Sequence, residues 1–452
     1  MSTASDDIVY RLEDRPSLGH ALLAAIQHLL AVFIAIVTPT LVLAAPLELD
    51  RETTNYLVSM ALIVSGVSTF IQIRRVGPVG SGLLNVQGTS FSFIDPMISA
   101  GTSAGLGTAG LAMIYGLTLA GSTIEMVLSR FLHRLRRVLT PVVTGTVVTL
   151  IGLSLIQVGF TDMAGGSQAE DFGSLQNLGL AGLTLVVIIV LNRVGNTVVR
   201  MGAIAIGLAV GYAVAAIIGR VSFGDFSDVP AVTVPIPFRF GLDFDFGLFI
   251  PIAVIYVVTT IESVGDITAT SEVSGEPVEG ETYVRRIKGG VLGDGVNSAI
   301  AAVFNTFPNV TFGQNNGVIQ ITGVASRFVG YFVALFLVLF GLIPIVGEVV
   351  TSIPRPVLGG ATIVMFGTVA ATGIKIIASA GEIGRRELLI LAVSLGLGLG
   401  VQLVPEALQE FPDTVQTVLG SAITVGGLTA LLLNVILPAD PEPIARDAGR
   451  SQ

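Results

Sequence analysis

The sequence predicts an all-α polytopic membrane protein of about fourteen transmembrane segments, arranged as two inverted seven-helix repeats with short broken helices in the third and tenth spans. Three observations carry this expectation. Apolar runs near the roughly 20 residues needed to cross a bilayer recur along almost the whole chain. Basic residues fall in alternate loops, and each half carries one Gly- and polar-interrupted segment at the same place in its order of spans.

The solvent is read from composition. The 452 residues are 52% hydrophobic and 12% charged, against roughly 25% charged in soluble domains. Barrel-type alternation is absent, which leaves a helical bundle. The first apolar run, Leu18 to Val37, is too long for a signal h-region and lacks a basic n-region, so it is expected to stay in the mature protein. Cysteine is absent, which removes disulfides, thiol chemistry and Cys-type metal sites. No cofactor, metal or nucleic-acid partner is expected. The partner that composition predicts is the lipid bilayer.

Hydrophobic segments begin near residues 17, 53, 83, 106, 138, 176, 200, 246, 287, 312, 328, 356, 387 and 414. With the N-terminus inside, the inner loops collect Arg74, Arg75, Arg130, Arg134, Arg136, Arg137, Arg193, Arg200, Arg285, Arg286, Lys288, Arg327, Lys375, Arg385 and Arg386, together with the terminal Arg11, Arg15, Arg446 and Arg450. Arg51, Arg220, Arg239 and Arg355 fall outside. The pattern supports an even span count, both termini in the cytoplasm, and a place in the cell (plasma or inner) membrane.

The stretch from Phe223 to Phe246, rich in Asp, Phe and Pro, divides the chain. A first repeat over 1–222, an extracellular linker over 223–245, a second repeat over 246–438 and a cytoplasmic tail over 439–452 are expected. An odd number of spans per half makes the second half enter from the opposite side. Asn85-Val86-Gln87-Gly88-Thr89-Ser90 and Asn309-Val310-Thr311-Phe312-Gly313-Gln314 interrupt the third span of each half. Paired breaks point to a midplane site, because the start of a half-helix offers free N–H groups and positive dipole to a ligand. Close helix packing is the other use of such glycines.

Ionisable groups inside spans cost about 2.5 to 3.5 kcal/mol on insertion scales, so each needs a reason. Glu262 and Asp266 stand four apart on one face of the eighth span, Asp294 lies in the ninth, and Gln27-His28 in the first. Local hydrogen bonds are the alternative for His28 and Asp266, and for Asp294 a tie between the ninth span and its neighbours. Glu125 lies in the fourth span toward the basic loop, where a salt bridge or snorkelling would satisfy it. Gln314, Asn315 and Asn316 open the tenth span, and their amides match the donor and acceptor edges of a heterocycle. Phe91 could stack on such a ring or simply pack. No phosphate-binding loop is present to drive an ATP pump, and no nucleophile and base constellation marks an enzyme. A channel would need a continuous polar stripe, and a receptor a soluble signalling domain.

The run Gln314-Asn315-Asn316-Gly317-Val318-Ile319-Gln320-Ile321-Thr322-Gly323, with Gln27-His28, Glu262, Asp266 and Asp294, resembles the nucleobase–ascorbate transporters, also called the nucleobase:cation symporter-2 family. The resemblance covers nearly the whole chain. It implies a core domain of spans one to four and eight to eleven, and a gate domain of spans five to seven and twelve to fourteen. It implies a substrate held by Glu262 and Gln314 with help from Ser90, Phe91 and Gly313, and a homodimer through the gate domains. Gln at the start of the signature is similar to the xanthine and uric-acid branch, whereas uracil carriers tend to have Glu there. The fold is also similar to that of sulfate and other anion carriers, which lack this signature. The function expected is secondary active uptake of a purine nucleobase by proton symport with elevator-type alternating access. Asp294 is the preferred proton carrier, with Asp266 and His28 in support. Another base such as uracil or guanine, or sodium as the ion, is the alternative.

Overall fold

A computed structural model describes residues 8–135, 140–167, 169–196, 199–200, 202–221, 231–381, 383–412, 415–416 and 419–438. The expected tail at 439–452, the first part of the expected linker, and the positions of Arg136, Arg137, Arg446 and Arg450 lie outside the described residues.

In the first half the helices are α1 Leu18–Ala44, α2 Arg51–Arg74, α3 Ile94–Ser103, α4 Gly107–Leu135, α5 Pro141–Met163, α6 Leu175–Arg193 and α7 Ala203–Ile217, with strand β1 Gln87–Thr89 before α3. The second half repeats the order. It has α8 Phe246–Val273, α9 Gly280–Val303, strand β2 Asn309–Thr311, α10 Gln314–Thr322, α11 Arg327–Leu342, α12 Pro344–Thr351, α13 Arg355–Ala378, α14 Arg385–Leu403 and α15 Ala422–Ile436. Side chains satisfy the free N–H groups at several helix starts. Asp50 accepts from Thr53 N, Ser174 from Asn177 N, Asp245 from Leu248 N, and Thr140 from Val143 N ahead of Pro141.

Eight of these helices are long and apolar enough to cross a membrane. The bent pair α11 and α12, at 78° to each other, makes a ninth candidate, and α7 and α15 are shorter apolar helices. Length and composition therefore do not by themselves return the fourteen crossings expected, although a helix or a strand–helix pair stands at each expected segment. α9 is less apolar because Arg285, Arg286, Lys288 and Asp294 lie in it.

Packing follows an exchange of halves. α5 lies along α13, its counterpart, and α2 packs on α11 as α9 packs on α4; within each half, by contrast, α6 packs on α7 as α14 packs on α15. Small residues set these crossings. A Cβ at Gly152 of α5 would stand 2.3 Å from Ala370 N, and one at Gly373 of α13 would stand 2.4 Å from Thr149 N. Gly66 of α2 and Gly341 of α11 likewise meet the facing backbone, each 2.6 Å from a carbonyl oxygen.

The broken spans are not purely helical. Gln87–Thr89 and Asn309–Thr311 are extended and pair antiparallel, with Gly88 opposite Val310. Their polar backbone groups thus find each other inside the bundle, which is how irregular chain is tolerated at membrane depth. The pairing also explains Gly88, whose Cβ would stand 2.4 Å from the Phe312 ring. Each strand then turns into a short helix, α3 or α10. The described part of the linker runs over the ends of three helices. Thr233 N donates to Leu342 O of α11, Phe238 N to Val303 O of α9, and Asp243 N to Ala112 O of α4.

Candidate functional site

The starts of the two short helices flank one face of α8. On that face Gly265 is exposed and Glu262, Asp266 and Ala269 are half-buried, while Ser263, Ile267 and Thr270 face inward. From the first half, Ser92 Oγ donates to Glu262 Oε2 at 3.4 Å. Ser90 sets up this end: its N donates to Pro308 O, and its Oγ accepts from Ser92 N. From the second half, Gly313 lies so close to Asp266 that a Cβ there would be 2.5 Å from Oδ1. Glycine is needed at 313 for that approach. Glu262, Asp266, Ser90 and Gly313, named from the sequence, therefore meet around α8, and Gln314 follows next along the chain. Gln314, Gly317 and Gln320 form the exposed face of α10.

Phe91 is buried, and its ring stands edge-on to Phe366 of α13, with centroids 5.9 Å apart at 78°. Asp95, in the first turn of the following helix α3, accepts from Ser421 Oγ ahead of α15 at 3.2 Å. The first broken span thus touches α13 and the start of α15 beside the site.

His28 and Asn315 meet on the far side of α10. His28 Nδ1 lies 2.5 Å from Asn315 Oδ1, and Asn315 Nδ2 donates to Leu84 O. Both ends of the Asn315 amide are used within the protein, so it faces away from Gln314 and anchors α10. Asn316 has an anchoring role too, accepting from Thr270 Oγ1 at 2.5 Å. Asn85 Nδ2 donates to the same hydroxyl at 2.7 Å, linking the first break to the second through α8.

Asp294 is the hub of a buried network. Oδ1 accepts from Gln72 Nε2 at 2.8 Å, Gln87 Nε2 at 2.9 Å and Thr311 Oγ1 at 3.0 Å; Oδ2 accepts from Ser263 Oγ at 2.5 Å and Thr311 N at 3.3 Å. It binds α9 to α2, to both strands and to the residue next to Glu262. Sequence reasoning singled out Asp294 but not Gln72, Ser92 or Thr270. The available signal was a neutral polar residue within an apolar run, which is weak because a helix hides such a group among its own carbonyls.

Glu125 corrects an expectation. It is fully buried, and neither carboxylate oxygen has a hydrogen-bond partner among the described residues. Among the described residues no salt bridge satisfies it, and it does not snorkel to the surface. Small residues draw α4 against α8 and α9 at this level, so the side chain is enclosed before it can reach the basic loop. A cavity of about 520 Å³ lies elsewhere, lined by Leu41, Glu48, Arg51, Thr351, Arg355 and Leu358. It touches neither Glu262 nor Gln314.

Residues 19–407 match the model of a family described as "Permease family". The chain belongs to this permease family. The permease is 48% identical over 448 residues to "Xanthine permease XanP" of Escherichia coli (strain K12), covering 97% of this chain and 96% of that one. It is 47% identical to "Xanthine permease XanQ" of the same organism, over 96% of this chain and 95% of the relative. It is 36% identical to "Uric acid permease PucJ" of Bacillus subtilis (strain 168), over 91% of each. The nucleobase:cation symporter-2 resemblance read from Gln314 to Gly323 agrees with these matches. Among solved structures, the murine anion transporter Slc26a9 in its inward-facing state superposes with a TM-score of 0.62 at 11% identity, covering 94% of this chain and 69% of that one. The transmembrane domain of the cyanobacterial bicarbonate transporter BicA gives 0.55 at 13% identity, covering 94% and 100%. The permease shares their fold.

Proposed function

We propose that the permease takes up an oxopurine, xanthine or uric acid, by proton symport, with Glu262 and the start of α10 at Gly313 and Gln314 holding the base. The observation that carries this is the meeting of both short-helix starts on the Glu262 and Asp266 face of α8. An acceptor carboxylate, free N–H groups and an amide that both donates and accepts match the alternating edge of an oxopurine. The printed substrates of the relatives, xanthine and uric acid, support the same class. In alternating access, spans one to four and eight to eleven move as a core, spans five to seven and twelve to fourteen stay as the gate, and two gates meet in a homodimer. Phe91 on Phe366 and Asp95 on Ser421 are contacts such a movement would break. Uptake of labelled xanthine into proteoliposomes, competed by uric acid, guanine and uracil, tests the substrate. Repeating it with an inward proton gradient, an inward sodium gradient or neither tests the ion.

Two variants test how the base is read. Gln314→Glu removes the donor and leaves only acceptors when ionised, so oxopurine affinity is expected to fall and uracil to begin competing. Identical inhibition profiles for parent and variant would take Gln314 out of the site. Gly313→Ala should still fold, because the methyl group meets only the end of the Asp266 side chain. The displaced carboxylate and helix start should raise the KM roughly tenfold, as small misplacements at a site do. An unchanged KM would separate Gly313 from recognition.

A further inference from the structure

Glu125 takes no part in the network around Asp294. It is nonetheless held close to the site from two sides. A Cβ at Gly121 of α4 would stand 2.2 Å from the Tyr256 ring of α8, and one at Gly295 of α9 would stand 3.0 Å from Met126 N. Glu125 is thus fixed between the helix that carries Glu262 and the turn that carries Asp294. The titratable groups acting on it are Asp294 from α9, and Glu262 and Tyr256 from α8. The Tyr256 hydroxyl turns to Thr118 O at 3.1 Å. Asp95, the titratable residue of α3, turns to Ser421, and Arg130 of α4 is exposed.

Ionised in this conformation, Glu125 would be an uncompensated charge beside other carboxylates and out of reach of water, which burial penalises heavily. As the neutral acid it avoids that charge, yet its O–H has no acceptor here. Buried polar groups are seldom left unmatched, and one that is calls for a reason.

We propose that Glu125 carries the coupling proton, taken up with the purine from one side and released to water on the other once the core has moved. A proton from outer water joins a carboxylate oxygen and later leaves it for inner water, with no other bond changed. This rests on the reading of the permease as a proton-coupled purine carrier, and it leaves Asp294 as the structural hub.

Proteoliposomes holding the parent, Glu125→Gln and Glu125→Asp decide it. The parent should concentrate labelled xanthine under an inward proton gradient and stop doing so with a protonophore; if it does not, the proton-coupled reading fails before Glu125 is tested. Glu125→Gln keeps the shape and removes the titration. It should still exchange labelled for unlabelled xanthine, but its uptake should stop at equal concentrations inside and out, and xanthine should no longer draw protons from the medium. Glu125→Asp, which still titrates, should recover accumulation and proton uptake. Accumulation by the Gln protein equal to the parent's overturns the proposal. Loss of exchange by the Gln and Asp proteins alike also overturns it, since a packing role gives that result.

Discussion

Glu262→Gln, in protein that reaches the membrane in normal amount, is expected to abolish xanthine uptake. Glu262 is half-buried and has one long hydrogen bond, 3.4 Å from Ser92, so most of its acceptor capacity faces the space between the two short-helix starts. The amide of Gln keeps the volume but offers one acceptor and one donor in place of two acceptors. A purine N–H set against that donor is left unpaired, at about 1 to 3 kcal/mol per group and more where charge is involved. That is roughly a tenfold to hundredfold loss of affinity, enough to empty the site at ordinary substrate levels. Folding should be little changed, because Glu262 does not anchor the Asp294 network; its neighbour Ser263 does. Uptake and binding of labelled xanthine, measured with surface expression, check this. Parent-like xanthine uptake by the variant would remove Glu262 from the site.

Asp294→Asn should do wider damage. Gln72, Gln87, Ser263 and Thr311 all donate to the carboxylate. An Asn in its place turns its NH2 toward one set of those donors. Each charge-assisted bond lost costs about 1.5 to 3 kcal/mol, so several kcal/mol of local order are at stake. Both strands hang on this residue through Gln87 and Thr311, so exchange, substrate binding and thermal stability are expected to fall together. A simple proton carrier would behave differently: its Asn variant would bind and exchange substrate normally and lose only uphill accumulation. Thermal unfolding of the purified variant, set beside counterflow, separates the two. Normal stability and counterflow with failed accumulation would return Asp294 to the role of proton carrier.

Much of the candidate site was legible in order of sequence. Glu262 and Asp266 share a face because they are one helical turn apart, and Gly313 and Gln314 announce a helix start because the polar run follows a break. The sequence could not say which residues are already spent. Asn315 was a candidate for the substrate, but His28 and Leu84 take both ends of its amide, and those partners lie far away along the chain. Asp294 was known to be inside a span, yet its donors come from α2, both strands and α8. Strand pairing between Gln87–Thr89 and Asn309–Thr311 was equally out of reach, because each segment alone reads only as an interruption.

By itself the sequence determined that this chain lives in a bilayer, that its two halves correspond, and that polar and ionisable residues interrupt the third, eighth, ninth and tenth segments. Hydropathy and local spacing fix those properties, and both are written along one dimension. Only the tertiary structure decided which buried polar groups satisfy one another and which do not. That depends on where glycines let helices touch: Gly121 and Gly295 bring α4 against α8 and α9, and the contact seals Glu125 inside with no partner among the described residues while Asp294 beside it is surrounded by donors.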